Sequence, residues 1–118
     1  MSKNDDITPI YGLSELDDKS VFNSVIQQLE KDLMLSGFTH PSIDSKDAVL
    51  FVQGLKRFLN DCLQYDSEKL RALLYRIDIS EKKINDLFLT ESSTDKLEEL
   101  VKLILLREIQ KVLNRRRY

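Results

Sequence analysis

Length, composition and charge limit this chain to a few classes of protein. Its 118 residues are 42% hydrophobic and 32% charged, with three Gly, two Pro and one Cys, so we expect one globular domain rather than a disordered or β-rich chain. The formal net charge of −2 predicts no general affinity for nucleic acid, and no apolar run approaches the ~20 residues that cross a bilayer. One cysteine and an N-terminus without an apolar signal segment indicate a cytoplasmic protein.

The beginning of the chain is predicted to be an arm followed by a helix. Residues 1–12 contain Pro9 and Gly12 and lack periodicity, so we expect a loosely ordered arm, followed by one helical-bundle domain over residues 13–118. A helix is predicted over residues 20–36, because one face carries Phe22, Val25, Ile26, Leu29 and Leu33. Gly37 fits the left-handed position just beyond the end of such a helix.

A second helix is predicted over residues 45–64. Asp44 is expected to be its N-cap and Asp47 an acid in its first turn. Its buried face is predicted to carry Ala48, Phe51, Val52, Leu55, Phe58, Leu59, Cys62 and Leu63. Val49 and Leu50 point toward the polar face instead.

Two shorter helices are predicted over residues 67–76 and 81–89. Asp66 is expected to cap the first, with Tyr65 and Leu70 as its hydrophobic staple. Ser80 is expected to cap the second, between Ile79 and Ile84.

The last predicted helix, over residues 95–115, determines the expected architecture. Its apolar face changes direction by roughly 100° along the helix, from Leu97, Leu100, Val101 and Ile104 to Leu105, Ile109, Val112 and Leu113. Such a helix must contact different neighbours along its length. Because no segment alternates with period two, we predict an all-α fold: a compact bundle of about five helices with a long central C-terminal helix.

The residues that usually carry chemistry are few. His40 is the only histidine and lies in a predicted loop, while Cys62 belongs to a buried face. Asp17 and Asp18 are interpreted as acids at a helix start rather than as cation ligands. With no glycine-rich phosphate loop either, the sequence predicts no catalytic residue, no metal site and no cofactor, and a protein that is not an enzyme.

One segment favours an alternative function as a small nucleic-acid-binding regulator. Residues 73–87 resemble a helix-turn-helix motif in their apolar spacing, with Asp78 at the turn position that usually holds glycine. Leu74 departs from the motif, because a small residue is normal there, and the second helix is close to neutral. Two packed short helices of any kind produce the same spacing.

The C-terminal part of the chain is basic and offers further phosphate contacts. The candidate nucleic-acid contacts are Lys82, Lys83, Arg107, Lys111, Arg115, Arg116 and Arg117. Two other interpretations stay open. Cations complement the dipole at a helix C-terminus, and this basic segment balances the acidic residues 1–18.

Surplus apolar residues favour a protein–protein interaction module as the leading hypothesis. Val49, Leu50, Leu103 and Leu106 are the predicted interface if five helices do not cover all four within the monomer. A two-fold homodimer would cover them. The expected partner is therefore a protein, either a second copy or another chain, and neither a membrane nor a small-molecule substrate is expected.

Two segments, LYRIDISEKK at residues 74–83 and REIQK at residues 107–111, resemble segments of short all-helical bacterial proteins to which no activity is assigned. The resemblance covers roughly the second half of the chain. It implies a helical fold and carries no activity, cofactor or site residue.

Overall fold

A computed structural model of the protein describes residues 14–39, 43 and 46–116. Within these residues, a 3₁₀ turn at Ser14–Asp17 precedes five helices: α1 (Lys19–Leu35), α2 (Ala48–Tyr65), α3 (Ser67–Arg76), α4 (Glu81–Leu89) and α5 (Ser93–Arg116). The described ranges contain no strand, so the all-α prediction is confirmed. The predicted arm, His40, Asp44 and Arg117 lie outside the described residues.

The limits of α1 follow from its capping residues. The Asp18 carboxylate accepts hydrogen bonds from the backbone N–H of Ser20 at 2.8 Å and of Val21 at 3.2 Å, which satisfies two donors that the first turn leaves open. At the other end Gly37 adopts φ 98°, and Phe38 N–H donates to the Leu33 carbonyl at 3.0 Å. The predicted left-handed termination is confirmed.

The start of α2 corrects the prediction by three residues. The helix begins at Ala48 rather than at residue 45, and its N-cap is Asp47. The Asp47 carboxylate accepts from Leu50 N–H at 2.9 Å, so this residue is the cap itself and not an acid of the first turn. Two acids three residues apart give the same capping signal, and the sequence does not distinguish them.

The ends of α3 and α4 match the predicted ranges, but only one of the two caps forms. The Ser80 hydroxyl accepts from Lys83 N–H at 3.3 Å, as predicted. Among the described residues, the Asp66 side chain accepts no capping hydrogen bond. Tyr65 is 79% exposed and does not form the expected staple with Leu70. Between the helices Asp78 adopts φ 71°, the left-handed conformation expected for it.

The core forms around α5, which packs against α1, α2 and α4. Both of its predicted faces are buried at Leu100, Val101, Ile104, Leu105, Ile109 and Val112. They belong to one buried cluster with leucines of α1, α2 and α3, and each fully buried side chain contributes roughly 1.5–3 kcal/mol by leaving water. The long central C-terminal helix is confirmed. No helix within the described ranges combines the length and apolarity needed to cross a bilayer.

Candidate interaction groove and buried acid pair

A surface groove lies between α4 and α5, with Leu103 and Leu106 in its lining. It has two adjoining parts. One part is lined by the α3–α4 turn and Arg107. The other includes Leu87 and Glu99, and Lys83 lines both parts. We call this surface the interaction groove; its lining includes Lys83, Leu87, Glu99, Leu103, Leu106 and Arg107.

The apolar part of the groove follows from the four consecutive apolar residues at the centre of α5. Consecutive residues of a helix point in different directions, so these four residues do not all face the core. Only Ile104 and Leu105 are completely buried. Leu103 is left half-buried, and Leu106 is 37% exposed. Such a run therefore leaves two leucines at the surface even in a well-packed bundle.

Charge is distributed unevenly along the α5 side of the groove. Asp95 and Glu99 line it toward the N-terminal end of α5, whereas Arg107 lines it toward the C-terminal end. Lys102 adds one cation to the acidic part. Along α5, the groove thus has acids at one end, leucines in the middle and, at the other end, the Arg107 guanidinium, which is paired with Asp78.

The other two predicted interface residues lie elsewhere. Val49 and Leu50 occupy the first turn of α2, where Val49 is half-buried and Leu50 is 36% exposed. The lining of the interaction groove does not include them. The structure therefore brings Leu103 and Leu106 together on one surface and leaves Val49 and Leu50 outside it.

Arg107, a candidate nucleic-acid contact, holds the α3–α4 turn. Its Nε donates to the Ile77 carbonyl at 3.1 Å, and its Nη2 donates to the Asp78 carboxylate at 3.2 Å. The first contact satisfies a carbonyl that the end of α3 leaves open. Arg107 thus connects α5 to a turn about thirty residues earlier in the chain.

The basic residues that follow Arg107 are directed onto α1. Lys111 Nζ lies 2.9 Å from Asp32 Oδ2, and Arg115 donates to the Gln28 side-chain carbonyl. Arg116 donates to Ser20 and Ser24 at 2.8 to 3.0 Å. On α4 Lys82 pairs with Asp86 at 3.0 Å, and Lys83 is exposed at the groove.

Sequence reasoning missed a buried pair of carboxyl groups between α1 and α5. Glu108 is 0% exposed and Asp32 is 3% exposed. Lys111 Nζ lies 3.5 Å from Glu108 Oε1, and Gln28 Nε2 donates to Asp32 Oδ2 at 3.2 Å. Neither oxygen of an ionised Glu108 accepts a hydrogen bond from any described residue. We call Asp32 and Glu108 the acid pair.

The acid pair holds one proton at neutral pH. Burial, the hydrogen bond with Asp32 and the negative charge of Asp32 together raise the pKa of Glu108 to about 8, and Lys111 opposes this rise. Burial also raises the pKa of Asp32, but hydrogen bonds from Glu108, Lys111 and Gln28 lower it more, so it lies below its ordinary value. These opposite shifts favour a protonated Glu108 beside an ionised Asp32 at neutral pH.

A signal for Glu108 was present in the pattern of α5. Ile104, Leu105 and Val112 stand four residues before, three before and four after it, so a helix places Glu108 among core side chains. A carboxyl group in the middle of an apolar helical face predicts burial with a shifted pKa. The net charge of the C-terminal segment does not reveal this position, because it does not distinguish a buried acid from an exposed one.

The remaining candidate for chemistry is the Cys62 thiol, which is buried. Burial raises its pKa to about 11, and the nearby charges of Asp66 and Asp61 act in the same direction. The thiolate needed for nucleophilic attack is therefore scarce at neutral pH. Within the described ranges, no three His, Cys, Asp or Glu side chains converge on a point where a metal ion could bind.

Comparison with known proteins adds no family to this description: no family model matches the chain, and no curated protein or solved structure matches it either. The fold and the site define a small five-helix bundle, described over residues 14–39, 43 and 46–116, with one mixed apolar and charged groove on α4 and α5.

Proposed function

We propose that this protein is a non-enzymatic protein–protein interaction module that binds a second copy of itself through the interaction groove. The observation that carries the proposal is the position of Leu103 and Leu106 between charges of opposite sign. The single buried thiol suits a reducing, cytoplasmic setting.

A two-fold axis near Leu103 makes the groove complementary to itself. In such a dimer the two α5 helices cross in antiparallel directions, and each surface meets the same surface of the other copy. The acidic end, with Glu99, then faces the part of the other groove that is lined by Arg107 and by Lys83, which lines both parts. Opposite charges at both ends favour this orientation over a parallel one.

The leucines supply the apolar centre that such an interface needs. Exposed apolar surface at Leu106 is removed from water in the dimer, at roughly 25 cal/mol for each Å². The gain from one such centre is modest, so we expect a dimer that forms at micromolar to millimolar concentrations. Val49 and Leu50 lie outside this interface and carry no part of the proposal.

The contacts of the basic side chains weigh against nucleic acid as the partner. Lys111, Arg115 and Arg116 each donate to groups on α1. Phosphate binding would have to replace these contacts, and three fewer available cations mean a weaker electrostatic attraction. We therefore favour protein over nucleic acid.

The proposal is tested by a charge exchange across the interface. In the proposed dimer, Glu99→Lys places a lysine opposite Lys83 of the other copy, and Lys83→Glu places an acid opposite Glu99 of the other copy. Each variant alone is expected to be monomeric because like charges face each other. A mixture of the two is expected to form a heterodimer, because each lysine then meets an acid.

Sedimentation equilibrium over a concentration series measures these associations. Leu106→Glu in the groove is expected to abolish dimerisation, whereas Leu89→Glu, at a 77% exposed position of α4 outside the groove lining, is the matched control and is expected to leave it unchanged. A monomeric wild-type chain up to millimolar concentration contradicts the proposal. A mixture that associates no better than either variant alone contradicts the antiparallel two-fold arrangement.

A further inference from the structure

We propose that the acid pair is a pH-sensitive switch that holds the C-terminal half of α5 against α1 while it carries a proton and releases that half when the proton is lost. The acid pair lies in the interior of the bundle, and its switching does not depend on the interaction groove.

Polar contacts between α5 and α1 form a row that begins at the acid pair and continues to the C-terminal end of α5. Lys111 contacts Asp32, Arg115 contacts Gln28, and Arg116 contacts Ser20. Since rising numbers on α5 meet falling numbers on α1, the helices run antiparallel here. Glu108 stands at the inner end of this row, where no described side chain satisfies its ionised oxygens.

The proton is needed because the site is closed to water. When Glu108 is protonated, its hydroxyl can donate to the Asp32 carboxylate, and only one of the two buried groups carries a negative charge. Without the proton, two carboxylates face each other with a single ammonium, that of Lys111, which lies 2.9 Å from Asp32 and 3.5 Å from Glu108. One cation cannot compensate two buried anions, so separation of the helices and hydration become favourable.

The charged groups that act on Glu108 are confined to the two helices of this contact. Across the described residues of α1, α2, α4 and α5, they are Asp32 on α1 and Lys111 on α5. Both lie at the contact that would open. Loss of the proton therefore acts on the α1–α5 contact, and the end of α5 beyond Leu105 is the part that moves.

Hydrogen–deuterium exchange of the full chain tests the switch. After correction for intrinsic exchange rates, the opening of residues 105–116 in the wild type is expected to increase by up to about tenfold for each pH unit between pH 6 and 8. Glu108→Gln keeps a donor toward Asp32 and cannot ionise, so its opening is expected to be independent of pH. Glu30→Gln, at an exposed position of α1, is the matched control and is expected to behave as the wild type.

A second measurement keeps the test decisive if Glu108→Gln does not fold. Carbon-13 NMR of the glutamate carboxyl groups in the wild type is expected to show one midpoint well above the others, assigned to Glu108. Equal pH dependence of opening in the wild type and in Glu108→Gln would overturn the proposal. A Glu108 carboxyl that titrates together with the exposed glutamates would overturn it as well.

Discussion

Replacing Glu108 by Gln should make the protein more stable at neutral and alkaline pH. Gln has nearly the shape of a protonated Glu, and its amide can donate to Asp32 as the carboxyl does. The substitution removes only the ability to ionise. In the folded wild type, ionisation of Glu108 is unfavourable, because its surroundings raise its pKa from the ordinary 4.5 to about 8.

The magnitude follows from the linkage between protons and folding. Between pH 4.5 and about 8 the unfolded chain has lost the Glu108 proton while the folded protein still binds it. The free energy of unfolding of the wild type therefore falls as the pH rises through this window. At about 1.4 kcal/mol for each tenfold difference in proton affinity, the loss is about 3 kcal/mol at pH 7 and about 5 kcal/mol at pH 9. Asp32 does not offset this loss of stability, because its lowered pKa changes the free energy of unfolding only below about pH 3.8, the ordinary pKa of an aspartate.

Urea unfolding followed by circular dichroism at pH 5, 7 and 9 measures the effect. We expect the free energy of unfolding of Glu108→Gln to be within about 1 kcal/mol of the wild type at pH 5 and several kcal/mol higher at pH 9. Glu30→Gln should retain the wild-type dependence on pH. A wild-type stability that stays constant from pH 5 to 9 would refute the reasoning, since it would mean that Glu108 ionises without cost inside the bundle.

Two further predictions concern the caps and the thiol. Ser80→Ala should lower the free energy of unfolding by about 1 kcal/mol, because it removes a capping hydrogen bond. Asp66→Ala should have a much smaller effect, because Asp66 makes no such bond within the described ranges. Thermal unfolding of both variants measures the difference, and equal losses of stability would contradict it. Cys62 should not react with a thiol reagent at pH 8 in the native protein, because burial raises its pKa to about 11. It should react after unfolding. Rapid reaction of the native protein would contradict this prediction, because it would show that the thiol is accessible.

Much of the fold was predictable because local signals agreed with the long-range packing. The range of α4 was predicted to the residue, since Ser80 both caps the helix and precedes a buried apolar pattern. The direction change along α5 predicted several helical neighbours, and the structure confirms contacts with α1, α2 and α4. The start of α2 was wrong because two equivalent acids compete for one cap, and only the path of the preceding loop decides between them.

The site was less predictable, because it depends on which residues meet across the bundle. The sequence identified Leu103 and Leu106 as surplus apolar positions, but not the acids and cations that accompany them in the groove. Pairs such as Lys111 with Asp32 join residues far apart in the chain. A one-dimensional pattern gives the face of a helix on which a side chain lies and does not give the side chain that it meets.

The dependence of α1 on α5 has a consequence for synthesis. Three whole helices are made between these two, and the residues of α1 that face Arg115 and Arg116 have no such counterpart until α5 has left the ribosome. We therefore expect nascent chains stalled before α5 to be cleaved readily by protease within α1, and chains released with α5 to resist. Equal resistance of the two kinds of chain would mean that α1 is protected from protease before α5 has left the ribosome.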